Sequence, residues 1–175
     1  MRPDPPDLPA EPATAGALDA EGLEDAILVD AAFPGLVAPS LRLEGCVLER
    51  VVLAGARLSA AELRDTELRA CDLANLDLRG ARARRARIAG GRLTGARLAE
   101  ADLSDVELDG CRADLATFGG ATLERVLITG CDLRDTDWQG ARLSSVLIAG
   151  CDLSGADLTG ARFQSVELRD CRLDG

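Results

Sequence analysis

Residues 151–160 read Cys151-Asp-Leu-Ser-Gly-Ala156-Asp-Leu-Thr-Gly, two copies of one five-residue pattern. Stepping outward from Leu153 in fives, every position from Leu28 to Leu173 is apolar, thirty in succession without a slip of phase. In a chain that is 47% apolar such a run has chance odds on the order of one in ten billion, so the period is structural. The thirty sites hold twenty Leu, three Ile, three Phe, one Trp and three Ala. Two residues before each stands a second series, from Ala26 to Cys171, of thirteen Ala, six Cys, five Val, three Leu, two Thr and one Gly. One row is large and the other small, and mostly Asp, Glu, Arg, Ser, Thr and Gly fall between them.

A period of five suits neither a helix of about 3.6 residues per turn nor the alternation of a flat strand. It suits a coil with four sides, one pentapeptide per side, with both rows pointing inward. A longer period agrees. Cysteines stand at 71, 111, 131, 151 and 171, always a multiple of twenty apart; Val106, Val126, Val146 and Val166 form a second column, and Ala81, Ala101, Ala121, Ala141 and Ala161 a third. Like residues recurring every twenty places are explained by stacking of successive coils at the strand spacing.

The runs Ala101-Asp-Leu-Ser-Asp, Cys131-Asp-Leu-Arg-Asp and Ala156-Asp-Leu-Thr-Gly match the consensus A(D/N)LXX, and over residues 26–175 the chain resembles the pentapeptide-repeat family. The resemblance implies an all-β fold, a right-handed quadrilateral β-helix of about seven coils of twenty residues, in which 150 residues make a rod roughly 36 Å long. Residues 1–25 are set apart as a Pro-rich acidic segment, flexible or forming an imperfect cap; Leu18 and Leu23 keep the five-residue phase, so 16–25 read either as a first coil or as a short capping helix.

Composition narrows the function. The 30 acidic residues face 20 basic ones, every one of them Arg, and the chain has no His and no Tyr. Proton transfer near neutral pH thereby loses its commonest agents, and the expectation is a non-enzyme without cofactor. All four aromatic residues occupy the large inward row, which leaves no stacking platform for single-stranded nucleic acid. The six cysteines lie in the small inward row, where a free thiol packs as a small hydrophobe, and no CxxC pair or His argues for a metal. Residues 1–16 show neither a basic n-region nor an apolar run, so neither a signal peptide nor a membrane segment is expected, and unpaired cysteines point to a reducing, cytoplasmic home.

The phase has two interruptions. Ala83 and Ala113 stand where a large side chain belongs, and Leu115 sits at a position otherwise given to Gly, polar or small residues. A local bulge, with Leu115 turning inward to fill the gap beside Ala113, is one expectation; a surface leucine is the other.

Charge is banded along the chain: net −7 over residues 1–40, +5 over 41–97 and −8 over 98–175. Arginines 79, 82, 84, 85, 87, 92 and 97 form a basic belt, yet the acidic flanks oppose duplex binding and direct nucleic-acid binding is not expected. In the acidic part Asp132 and Asp152 stack on one side and Asp137 and Asp157 on the next. Some members of the family imitate duplex DNA in the DNA-binding saddle of type II topoisomerases, so the resemblance implies DNA gyrase as one candidate partner. One net charge per about 2.4 Å of rod approaches the one per about 1.7 Å of duplex DNA. A rival surface is apolar: Leu127 and Leu147 share an outward row with Ile27 and Val47. The leading expectation is a protein-binding or structural scaffold, with gyrase mimicry as the alternative and an end-to-end contact of final coils as a route to a homodimer.

Overall fold

The computed structural model describes residues 2–11, 13–14, 18 and 22–174. Within them the backbone forms fourteen strands and no helix, joined in a single parallel sheet. From residue 23 onward the register is always twenty: Leu23 lies beside Leu43, Ile27 beside Val47, Glu62 beside Arg82 and Leu147 beside Glu167. Isolated bridges on the remaining sides keep the same step, as in Asp72 with Arg92 and Asp137 with Asp157. The result is a β-solenoid of about seven turns.

Corners set this geometry. Every fifth residue from 25 to 170 has a positive φ, thirty in succession, thirteen of them Gly. The other seventeen include six Asp and one Asn but no β-branched residue, because Val, Ile and Thr tolerate the left-handed region worst. On two sides of each coil the corner closes as a turn, with Ala156 N–H donating to the Leu153 carbonyl at 3.0 Å and Gly155 at φ 71°. A positive φ at the third residue is what a type II turn requires. On the other two sides the chain runs as short strands, such as Thr122–Glu124 and Leu127–Thr129.

Both rows point inward, and the large row is buried almost throughout. Trp138 and Phe118 are wholly enclosed. Cys46, Cys71, Cys111, Cys131 and Cys151 are buried, Cys171 is half-buried, and all six are free. Their thiols do more than fill space: Cys71 Sγ lies 3.4 Å from the Leu48 carbonyl and Cys111 Sγ 3.3 Å from that of Ile88. Thr66 Oγ1 makes the same reach to Leu43, at 3.1 Å. At these places a small donor bonds a carbonyl of the coil below, while Thr136 donates to Leu133 of its own coil. Burial pushes the Cys46 and Cys71 thiols up.

Neither interruption bends the chain. Leu115 occupies a corner with φ 60°, is 55% exposed and keeps the ladder, its N–H donating to Arg134 at 2.9 Å. The inward-turning bulge is thus overturned: a left-handed corner throws its side chain outward, and Ala113 stays buried in phase. At Ala83 the missing side chain leaves a cavity of about 40 Å³, lined by Leu63, Leu103 and Phe118 among others.

Of the segment ahead of the first regular coil, Ala13–Thr14 pairs with the strand Ala26–Val29, and Leu18 is buried. Leu23 joins the coil ladder; residues 15–17 and 19–21 of the expected cap lie outside the described residues.

Candidate functional site

The four candidate aspartates stack as expected, Asp132 on Asp152 and Asp137 on Asp157. Each also bonds the backbone two residues on: Asp132 Oδ1 accepts from Arg134 N at 3.3 Å, Asp137 from Gln139 N at 2.8 Å, Asp152 from Ser154 N at 3.0 Å and Asp157 from Thr159 N at 2.9 Å. Asp72 and Asp77, outside the acidic half, make the same bond to Ala74 and Arg79. On the two turn sides of the coil, aspartate at the second place of the repeat is therefore a turn-closing residue, whatever else it does; Asp102, on a strand side, has no such role. Arg134 clamps Asp132 through both oxygens, at 2.8 and 2.7 Å, and holds its carboxyl below the ordinary value. Asp152 has Arg172 at 3.7 Å, and the Ser154 hydroxyl lowers its carboxyl. Asp137 and Asp157 differ: among the described residues no arginine stands within 4 Å of either carboxylate, and Gln139 Nε2 donates to Asp157 at 2.6 Å.

Six of the seven belt arginines pair with acids of their own or an adjacent coil, Arg84 being the exception among the described residues. Arg92 pairs with Asp72, Arg97 with Asp77, Arg85 with Asp65, and Arg87 with Glu67, Glu107 and Asp109. Arg79 pairs with Asp77 and Arg82 with Glu62. These charges ladder within the rod and leave no continuous basic strip.

Leu127 and Leu147 lie in register on adjacent coils, half-buried, with Glu107 below and Glu167 above. They line an open groove of about 560 Å³ together with Arg2, Ser145, Ser165 and Glu167. Their row continues to half-buried Ile27 and buried Val47 at the other end. Between these two ends the same outward place is filled by Glu67, Arg87 and Glu107, so leucine is not required there by the coil.

Arg2 is the feature that sequence reasoning missed. Residues 2–11 run along the outside of the rod, bringing Asp7 N within 3.0 Å of Asp65 Oδ1 and Asp4 N to 3.5 Å from Asp105 Oδ1. Among the described residues no cluster of His, Cys, Asp and Glu is arranged to hold a metal ion. At the last turn Phe163, Leu168 and Leu173, inward in phase, stand 42–53% exposed.

Comparison with known proteins gives one consistent answer. The profile described as "Pentapeptide repeat region" matches residues 85–158, and "Pentapeptide repeats (8 copies)" matches 41–69 and 61–98. No curated protein sequence matches the chain. Among solved structures, the pentapeptide repeat protein Rfr23 from the cyanobacterium Cyanothece 51142 is similar at 22% identity with a TM-score of 0.50, over 57% of this chain and 65% of that one. The match thus spans just under two thirds of the cyanobacterial protein. A trypsin-treated form of QnrB1, a plasmid-mediated fluoroquinolone resistance protein, gives 21% identity and a TM-score of 0.48 over 85% of this chain and 83% of its own. HetL, a pentapeptide repeat protein involved in heterocyst differentiation regulation in Nostoc sp. strain PCC 7120, gives 22% and 0.30 over 85% and 87%. At 22% identity the likeness to Rfr23 is one of fold.

Proposed function

We propose that this chain, which belongs to the pentapeptide-repeat family, acts without catalysis as a cytoplasmic binding scaffold and engages a protein partner through the face of Leu127 and Leu147. One observation carries this reading. The four candidate aspartates close turns and most arginines of the belt pair with neighbouring acids, whereas two stacked leucines border a groove of about 560 Å³. A partner burying both gains roughly 25 cal/mol for each Å² of apolar surface removed from water.

A second reading keeps the acidic side. Asp137 and Asp157 carry carboxylates with no arginine within 4 Å among the described residues, and a basic saddle such as that of DNA gyrase suits such a pair. The reading is limited by height: below Asp137 the column runs through Thr117 to Arg97, so the acidic strip is short beside a DNA groove. A gyrase supercoiling assay with excess protein separates the two. Inhibition that disappears in D137N/D157N and with rising salt supports mimicry; absence of inhibition leaves the apolar face.

A further inference from the structure

One corner of the rod reads, coil by coil, Asp25, Gly45, Asp65, Arg85, Asp105, Arg125, Ser145 and Ser165. Each of its arginines forks onto the aspartate of the coil below. Arg85 holds Asp65 at 2.6 and 2.5 Å, and Arg125 holds Asp105 at 2.7 Å through both oxygens. A carboxylate has about four lone-pair sites, so each aspartate keeps acceptor capacity beyond its arginine. Asp65 and Asp105 are nevertheless only 7% and 4% exposed, a degree of burial a lone solenoid corner does not provide.

The cover is the chain's own beginning. Between Pro3 and Asp7 the sequence is Pro3-Asp4-Pro5-Pro6-Asp7, so this stretch owns two backbone N–H groups, those of Asp4 and Asp7. Both are directed at the corner, Asp7 N at Asp65 Oδ1 and Asp4 N at Asp105 Oδ1. Pro3 is buried, and Arg2 reaches the groove at Glu167.

The spacing explains the match. Three residues of polyproline II advance about 9.3 Å, and two coils of the rod rise about 9.6 Å, so one turn of the ligand spans two steps of the corner. Aspartates on alternate coils therefore meet every third N–H. Proline between them supplies the extended conformation without ordering cost and presents no unused donor to the wall. The charge of Asp7 favours the charged form of Arg85, midway, so the corner tolerates an acidic ligand.

We propose that the corner Asp65–Arg85–Asp105–Arg125 is a binding site for an extended, proline-containing peptide that presents two backbone N–H groups three residues apart, and that residues 2–9 are its ligand in cis. Recognition of this kind normally uses aromatic grooves. Here every aromatic side chain belongs to the inward row, and acceptor carboxylates at twice the coil spacing take their place. A partner segment with the same spacing competes with the cis segment, whose effective concentration is on the order of millimolar. The inference does not depend on the leucine face.

The test uses full-length protein and a fluorescein-labelled peptide of residues 1–11, followed by anisotropy. D4P/D7P removes both donors from the cis segment, keeps it extended and alters no residue of the rod. It is expected to bind the peptide at least tenfold more tightly than the wild type, and adding D65A/R85A to it should remove that gain. Equal affinity for wild type and D4P/D7P, or binding indifferent to D65A/R85A, overturns the proposal. Should D65A/R85A not fold, amide exchange of the wild type decides. Protection of the Asp7 amide at least tenfold above the free peptide upholds the site, and exchange at the free-peptide rate refutes it.

Discussion

The indole of Trp138 lies flat on the ring of Phe118, one coil below, with centroids 4.1 Å apart and planes 9° from parallel. The two fill the axis of the rod where the neighbouring side holds only Ala113, and the Trp138 Nε1–H donates to Thr136 Oγ1 at 2.9 Å. Thr136 in turn donates to the Leu133 carbonyl at 2.6 Å. Trp138→Ala is expected to cost about 3–5 kcal/mol in chemical denaturation. Thr136→Val, which orphans the indole N–H without changing volume, should cost about 1–3 kcal/mol. A neutral Thr136→Val would mean that the indole has another partner.

Ala83 lies between Leu63 and Leu103 in its column and leaves a cavity of about 40 Å³. At roughly 24 cal/mol per Å³, filling it is worth about 1 kcal/mol. Ala83→Val should raise the unfolding free energy by that amount and the denaturation midpoint with it, and a lowered midpoint would show that the column cannot admit two more carbons.

At Leu115 the residue, not the backbone, is out of place. A non-glycine residue in the left-handed region costs roughly 1–2 kcal/mol, and glycine gives back about 0.5–1 through unfolded-state entropy. Leu115→Gly is therefore expected to stabilise the rod by about 0.5–1 kcal/mol in thermal or chemical unfolding. Destabilisation would point to a packing role for the exposed leucine.

Acid should loosen the rod in a defined window. Arg125 holds the Asp105 carboxyl below 3.8, Arg92 does so for Asp72, and Arg79 for Asp77. A depressed folded-state pKa means that the unfolded chain takes up protons first as pH falls. This stability is complete above about pH 5 and is lost as pH descends from about 4 through the folded values. Urea midpoints should stay level from pH 7 to 5 and drop below 4; a midpoint that rises on acidification would contradict the ladders.

The coil was legible because inward residues repeat locally. Leu153, Leu158 and Phe163 announce the phase within a dozen residues, and Cys111, Cys131 and Cys151 announce the stacking. Leu115 left two expectations open, and the surface leucine holds while the inward turn does not, because the constraint lies in φ, which a list of side chains shows only through the missing Val, Ile and Thr at corners. The aspartate stripe stacks as the sequence suggests, but its second use does not show there: charge is visible in sequence, the Asp137 to Gln139 amide bond is not. The docking of Asp4 and Asp7 joins residues 101 and 58 apart. Its signals were present, in Asp25, Asp65 and Asp105 at intervals of forty and in Pro3-Asp-Pro-Pro-Asp7, but neither means anything until the corner and the segment are seen side by side.

The central claim is that a partner docks on Leu127 and Leu147, and the most direct measurement compares capture by immobilised wild type, L127T/L147T and D137N/D157N from an extract of the cells that make the protein, at low and high salt. The account expects one partner retained by wild type and D137N/D157N at both salt concentrations and bound at least 30-fold more weakly by L127T/L147T, the loss of roughly 1–2 kcal/mol per leucine. A partner released by salt and by D137N/D157N, yet held undiminished by L127T/L147T, would contradict it.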